Sequence, residues 1–146
     1  MTVVLDSSAL VKRYVDEPHQ DLVRSIADAM VVSAIVRVEV PSALWRKHRL
    51  GELTDDEIEV LIALFEIDWS GDDANTTPAL SPVAMSDDLL ASAAVHVGRH
   101  GLRALDGVQL ATALLVQQVE PGVVRFACFD EDLRRAARRE GLTLIP

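Results

Sequence analysis

The stretch Thr2-Val3-Val4-Leu5-Asp6-Ser7-Ser8-Ala9-Leu10 decides the reading: a short apolar run stops at a carboxylate followed by two hydroxyls. Val3, Val4 and Leu5 read as a buried strand that delivers Asp6 to its carboxyl end. In an open α/β sheet, ligands bind in the crevice beyond the carboxyl ends of the strands, so an acid there is a candidate site residue. A second reading stands beside it, in which Asp6 or Ser7 caps the helix that begins near Ala9. This stretch alone does not separate the two, so acids elsewhere must.

Working outward, apolar runs predict further strands over 30–32, 123–129 and 142–145, and helical spacing predicts helices over 9–15, 20–29, 35–49, 54–67, 83–97, 105–119 and 131–140. Pro18 ends the first helix, and Gly51 ends the one that carries Glu39. Ser33 reads as a cap for that helix. Pro41 inside it removes a hydrogen bond at a cost of about 3 kcal/mol, which predicts a late start or a kink beside Glu39. Thr54-Asp55-Asp56-Glu57 is a capping box. The stretch 70–82 holds Gly71, Asn75, two threonines and two prolines and reads as a surface loop. Gly98 and Gly101 are expected to flank a turn. Strands alternating with helices through short connections predict an α/β fold, a central parallel sheet flanked by helices on both faces. No internal repeat is present, and 146 residues suit a single domain, 1–146.

The composition is 49% hydrophobic but only 4% aromatic, which fits a core of Val, Leu, Ile and Ala. No apolar run approaches the ~20 residues of a bilayer span, and no basic-then-apolar leader opens the chain, so a soluble, unexported, cytoplasmic protein is expected. Cys128, the single cysteine, lies within an apolar run and reads as core. A net charge of −9 argues against non-specific nucleic-acid binding by the whole surface, but not against a local basic face. The cations do cluster, Arg46, Lys47 and Arg49 in one place and Arg134, Arg135, Arg138 and Arg139 in another. Such clusters are more often solvated helix faces than phosphate sites.

Four acids occupy comparable places: Asp6 after the first strand, Glu39 and Asp106 near the starts of helices, and Asp130 after the strand that ends Ala127-Cys128-Phe129. Parallel topology brings strand ends and following helix starts to one edge of the sheet, so these residues are expected to converge. Four carboxylates together repel, and a hard divalent cation with oxygen ligands relieves them. Mg²⁺ suits such a site because it takes one or two direct carboxylates and keeps several waters. No cluster of His and Cys at zinc spacing is read here, and His19, His48, His96 and His100 read as surface or core-edge residues.

Four blocks now carry a resemblance: Leu5-Asp6-Ser7-Ser8-Ala9-Leu10-Val11-Lys12; Glu39 with Pro41-Ser42-Ala43-Leu44-Trp45; Leu102-Arg103-Ala104-Leu105-Asp106 with Leu110-Ala111-Thr112-Ala113; and Cys128-Phe129-Asp130-Glu131-Asp132-Leu133. In order and spacing, over nearly the whole chain, they resemble the PIN-domain ribonucleases, especially the VapC toxins of bacterial toxin–antitoxin (VapBC) pairs. The resemblance implies a PIN-like three-layer sandwich and metal-binding, catalytic roles for Asp6, Glu39, Asp106 and Asp130, with Ser8 in support. It further implies Mg²⁺ or Mn²⁺ dependence, cleavage of RNA, a homodimer, and inhibition by a cognate VapB-type antitoxin. Gly107 and Gln109 depart from the Ala and His common in that family. Asp132, two residues beyond Asp130, competes as the fourth acid, although it suits the first turn of the following helix.

The expected chemistry is hydrolysis of a phosphodiester by metal-activated water, without a nucleophilic side chain. Asp6 and Asp106 are the expected direct ligands, Glu39 and Asp130 the holders of water, and Lys12, Arg13 and Arg46 to Arg49 the contacts to the RNA backbone. A rival class makes Asp6 a covalent phosphoryl acceptor, as in a haloacid-dehalogenase-like phosphatase or a receiver-like domain. The first would want an Asp where Ser8 stands, the second a late lysine, and the last lysine is Lys47. A third class is a non-catalytic binding module on the same fold. Leu44, Trp45, Leu61, Leu64 and Phe65 read as core in preference to a partner groove.

Overall fold

The computed structural model describes every residue except Ala74 and Asn75. Five parallel strands, β1 Thr2–Leu5, β2 Ala29–Ser33, β3 Leu80–Val83, β4 Val124–Ala127 and β5 Thr143–Ile145, form one sheet in the order β3-β2-β1-β4-β5. The described helices are α1 Ser7–Val11, α2 Gln20–Arg24, α3 Val36–Arg49, α4 Asp55–Ser70, α5 Asp87–His100, α6 Ala104–Val119 and α7 Glu131–Arg139. Among the described residues, no helix is long and apolar enough to cross a membrane.

Strand β1 is the centre of the sheet, with Val4 registered against Val31 on one side and Phe126 on the other. A central parallel strand is covered on both faces, which is why its sequence is uniformly apolar and does not alternate. Val3 and Leu5 join Leu10, Val32, Leu44 and Phe65 in the core under α1, α3 and α4. Val4 joins Leu110, Phe126 and Leu133 in the core under α6 and α7. Helix α5 packs along α6 through Leu89, Ala93, Val108 and Ala111. The result is a three-layer α/β sandwich. The chain builds β1, β2 and β3 in one direction and then returns to the far side of β1 for β4 and β5. That reversal opens a crevice at the carboxyl ends of β1 and β4.

Several expectations change. The predicted loop 70–82 contains the start of β3, and α5 begins at Asp87, with Ser86 as its cap, not at 83. Pro82 hid this strand, yet β3 is an edge strand paired only with β2, where a missing N–H is tolerated. Asn75, counted within that loop, lies outside the described residues. Helix α2 stops at Arg24 because Ala29 is already paired with Thr2 in the sheet. Helix α3 is continuous from Val36 through Pro41 to Arg49, so it does not start late. Ser33 ends β2, and its hydroxyl accepts the Ile35 amide at 3.3 Å ahead of the helix. Gly98 lies inside α5, and Gly101 alone takes the left-handed conformation at its end, φ 65°.

Of the residues read as core, Leu44 and Phe65 are fully buried, whereas Trp45 and Leu64 are 43% and 47% exposed. The basic helix α7 is not a uniformly solvated face either. Arg134 is buried, and its guanidinium donates to the carbonyls of Cys128 at 2.7 Å and Ile145 at 3.2 Å, tying together the chain beyond β4 and β5.

Gly107 allows α6 to lie close to α5: a Cβ built there would sit 2.4 Å from Val97 Cγ2 and 3.1 Å from the Ala93 carbonyl oxygen. Overpacking of this kind costs about 1–3 kcal/mol, and the better helix propensity of alanine returns at most about 1. Gly107→Ala is therefore expected to lower the unfolding free energy by about 1–2 kcal/mol in urea titration. Adding Val97→Ala should recover part of that loss.

Candidate active site

Asp6 is the first residue after β1, and it is both cap and crevice residue. Its amide continues the sheet by donating to the Ala127 carbonyl at 3.1 Å, and its Oδ1 accepts the Ala9 amide at 2.8 Å as the N-cap of α1. Asp130 repeats the arrangement after β4, its Oδ1 accepting the Leu133 amide at 3.0 Å as the N-cap of α7. Capping engages Oδ1 in each case and directs the carboxylate toward the crevice. Glu39 arrives from α3 and Asp106 from the first turn of α6.

All four acids line one cavity of about 500 Å³, together with Ser7, Ser8, Arg103, Gln109 and Phe129. Ser8 donates to both Asp6 oxygens, at 2.9 and 3.0 Å. Asp132 is not part of this lining. Its side chain is 74% exposed and pairs with Arg135 Nη1 at 3.0 Å, so only Asp130 of the two late acids faces the others.

Three polar lining residues, Ser7, Arg103 and Gln109, are not singled out for the site by the sequence. Gln109 is almost fully buried, and its Nε2 donates to Glu39 Oε1 and to Ser7 Oγ, both at 3.0 Å. Ser7 in turn donates to Glu39 Oε1 at 2.5 Å. Glu39 is thereby fixed by two donors from other segments. The signal was present as spacing, because Gln109 lies three residues after Asp106 and so on the same helix face. The departure from the family pattern at this position is thus a polar substitute that holds an acid in place.

The electrostatics are those of a cluster compensated on one side only. Burial pushes Asp6 up from 3.8 to about 7, with Asp106 and Glu39 adding repulsion and the Ala9 amide and Ser8 hydroxyl opposing it. Among the described residues no cationic side chain pairs with Asp6 or Glu39, whose partners are the neutral donors already named. On the outer side, Arg103 reaches Asp106 at 3.1 Å and Asp130 at 3.6 Å from an 80% exposed side chain. A positive group therefore already bridges the two outer acids, while the inner pair has none. The acids offer oxygen donors, and Gln109 Oε1, buried in the same lining, has no hydrogen-bond partner among the described residues. These residues fit a hard divalent cation with its waters. Cys128 does not compete as a nucleophile, since burial, with help from the Asp6 charge, pushes its thiol well above the usual range.

The sign of the Asp6 effect follows from linkage. Its folded pKa lies above the unfolded 3.8, so the native state holds the extra proton between about pH 4 and 7 and stability falls as pH rises through that window. Ionising Asp6 by pH 8 costs up to about 4 kcal/mol in the metal-free chain. Asp6→Asn in EDTA is expected to be more stable than the parent at pH 8 by about 1–4 kcal/mol, and equal to it near pH 4, in thermal or urea unfolding.

Comparison with known proteins agrees with this geometry. The family model described as "PIN domain" matches residues 3–139. The chain is 32% identical over 151 aligned positions to Ribonuclease VapC45 of Mycobacterium tuberculosis (strain CDC 1551 / Oshkosh), covering 99% of this chain and 94% of the relative. Ribonuclease VapC49 of Mycobacterium tuberculosis (strain ATCC 25618 / H37Rv) shows the same identity and coverage. With a three-layer sandwich, a crevice lined by four acids and a match over nearly its full length, the chain belongs to the PIN-domain family.

Proposed function

We propose that this chain is a metal-dependent endoribonuclease, the toxin of a type II toxin–antitoxin pair. The observation that carries this reading is the convergence of Asp6, Glu39, Asp106 and Asp130 on one cavity, with Asp6 buried and, among the described residues, without a cationic partner. The similarity to two proteins named ribonucleases supports RNA as the substrate.

Asp6 and Asp106 would hold Mg²⁺ or Mn²⁺ directly, and Glu39 and Asp130 would hold its waters. Bound there, the cation supplies an acidified water and positive charge against the phosphate. Glu39, fixed by Ser7 and Gln109, orients the attacking water and accepts its proton. The water oxygen bonds to phosphorus, the bond from phosphorus to the leaving sugar oxygen breaks, and the proton taken by Glu39 passes through solvent to that oxygen, which leaves as a hydroxyl. A second groove, of about 680 Å³, carries Lys12, Arg46 and Lys47 and shares Ser8, Val11, Glu39 and Ala43 with the acid cavity. Lys12 pairs there with Glu17 at 3.1 Å, and Lys47 with Glu17 at 3.4 Å and Glu52 at 3.3 Å, so the groove serves as a basic path for the RNA backbone through Arg46 and through lysines that exchange those carboxylates for phosphate. Arg13 does not line that groove and pairs with Asp68 at 2.9 Å.

The same groove includes Val38 and Leu50, both exposed, near the exposed Trp45 of α3. This apolar rim supports the further proposal of a VapB-type antitoxin as partner, and the family resemblance adds a homodimer. A covalent phosphoryl-aspartate is disfavoured because Ser8 stands where a phosphatase would want a second Asp, and no lysine follows Lys47 to serve a receiver-like site.

Cleavage of a mixed RNA substrate should require Mg²⁺ or Mn²⁺ and stop in EDTA. Asp6→Asn and Asp106→Asn should each slow it at least about a hundredfold, and Gln109→Ala about 10–100-fold, as expected for a group that orients a ligand. Asp132→Asn should stay within about twofold of the parent, since its side chain faces solvent. Parental rates in Asp6→Asn would remove the site.

A further inference from the structure

The two histidines His96 and His100 stand four residues apart on α5, a spacing that places both rings on one helix face. In sequence they read as surface or core-edge residues with no zinc-like cluster, but the fold brings Glu140, at the end of α7, against them. One ligand atom from each of the three residues lies within 4.8 Å of the others. The rings are nearly parallel, 7° apart, with centroids 5.9 Å apart. The side chains are 11%, 5% and 19% exposed, respectively. This cluster has no residue in common with the acid cavity.

The hydrogen bonds present do not account for it. His100 Nε2 lies 2.7 Å from Glu140 Oε1, and Arg99 Nη1 reaches the same oxygen at 2.9 Å. His96 Nδ1 sits 3.4 Å from that oxygen, yet it is buried and without a hydrogen-bond partner, as is His100 Nδ1. Leaving His96 Nδ1 unpaired costs about 1–3 kcal/mol, which an ion would relieve, whereas His100 faces Glu140 through Nε2 and its Nδ1 gives the site no support. Two imidazoles and one carboxylate are a known donor set for zinc, with a fourth position for water. Tetrahedral bonds of the usual length separate ligand atoms by about 3.3 Å, so the cluster needs only small shifts to close on an ion. A cavity of about 660 Å³ reaches both His96 and Glu140 and provides the water and the way in. Arg99 is 55% exposed and can move its charge into solvent.

We propose that His96, His100 and Glu140 form a second cation site that takes Zn²⁺ and clasps the end of α5 to the end of α7. This site does not depend on the nuclease reading. The softer imidazole nitrogens select a late first-row ion, whereas the oxygen donors of the acid cavity select a hard one.

The test is calorimetric titration of ZnCl₂ into a chain carrying Asp6→Asn and Asp106→Asn, which removes the acid site. One Zn²⁺ per chain is expected, weakened at least about tenfold by either His96→Gln or His100→Gln, with folding checked by circular dichroism. Absence of binding, or binding unchanged by both substitutions, would overturn the proposal. Should those variants fail to fold, imidazole nitrogen NMR of the parental chain decides. Zn²⁺ should shift the ring signals of His96 and His100, and shifts confined to His19 and His48 would contradict the site.

Discussion

An ionisable carboxylate at the end of the central strand, 4% exposed and opposed by two other acids, is the constraint around which the structure is arranged. A fold selected only for stability would place an apolar residue there. Retaining Asp6 costs stability whenever it is ionised without a counter-charge, and the neutral donors Ala9 and Ser8 offset only part of that. The same unfavourable energy becomes binding energy for a cation, because an ion that relieves it stabilises the native state alone.

The remaining acids are held so that none can retreat. Asp6 and Asp130 follow neighbouring strands and cap the helices after them, so backbone amides fix their orientation. Glu39 lies on the other side and is held by Ser7 and Gln109. Asp106 depends on α6 lying where it does, which in turn depends on the absence of a Cβ at Gly107 where α6 meets α5. Packing on the α5 side of α6 thus sets the geometry within the crevice.

Much of this was legible in the chain. The run Val3-Val4-Leu5 ending at Asp6 marked the central strand, and the four acids stood at strand ends and helix starts, where parallel topology gathers residues. What was not legible had identifiable causes. Edge strand β3 was obscured by Pro82, whose missing N–H matters little on an edge but reads as loop in a sequence. Trp45 was taken for core because side-chain size does not reveal which helix face is covered. Arg134 looked like its solvated neighbours until the carbonyls of Cys128 and Ile145 were seen around it. Glu140 is forty residues from His100, and only the packing of α7 near α5 brings them together.

The central claim is that the four-acid crevice is a cation site. It is tested most directly by diffraction from crystals grown with Mn²⁺, with anomalous differences recorded at the manganese edge. An anomalous peak at direct-ligand distance from the carboxylates of Asp6 and Asp106, with Glu39 and Asp130 reached through water, is the predicted result. Manganese that binds elsewhere while this crevice stays empty, with Asp6 still facing Asp106, would contradict the account.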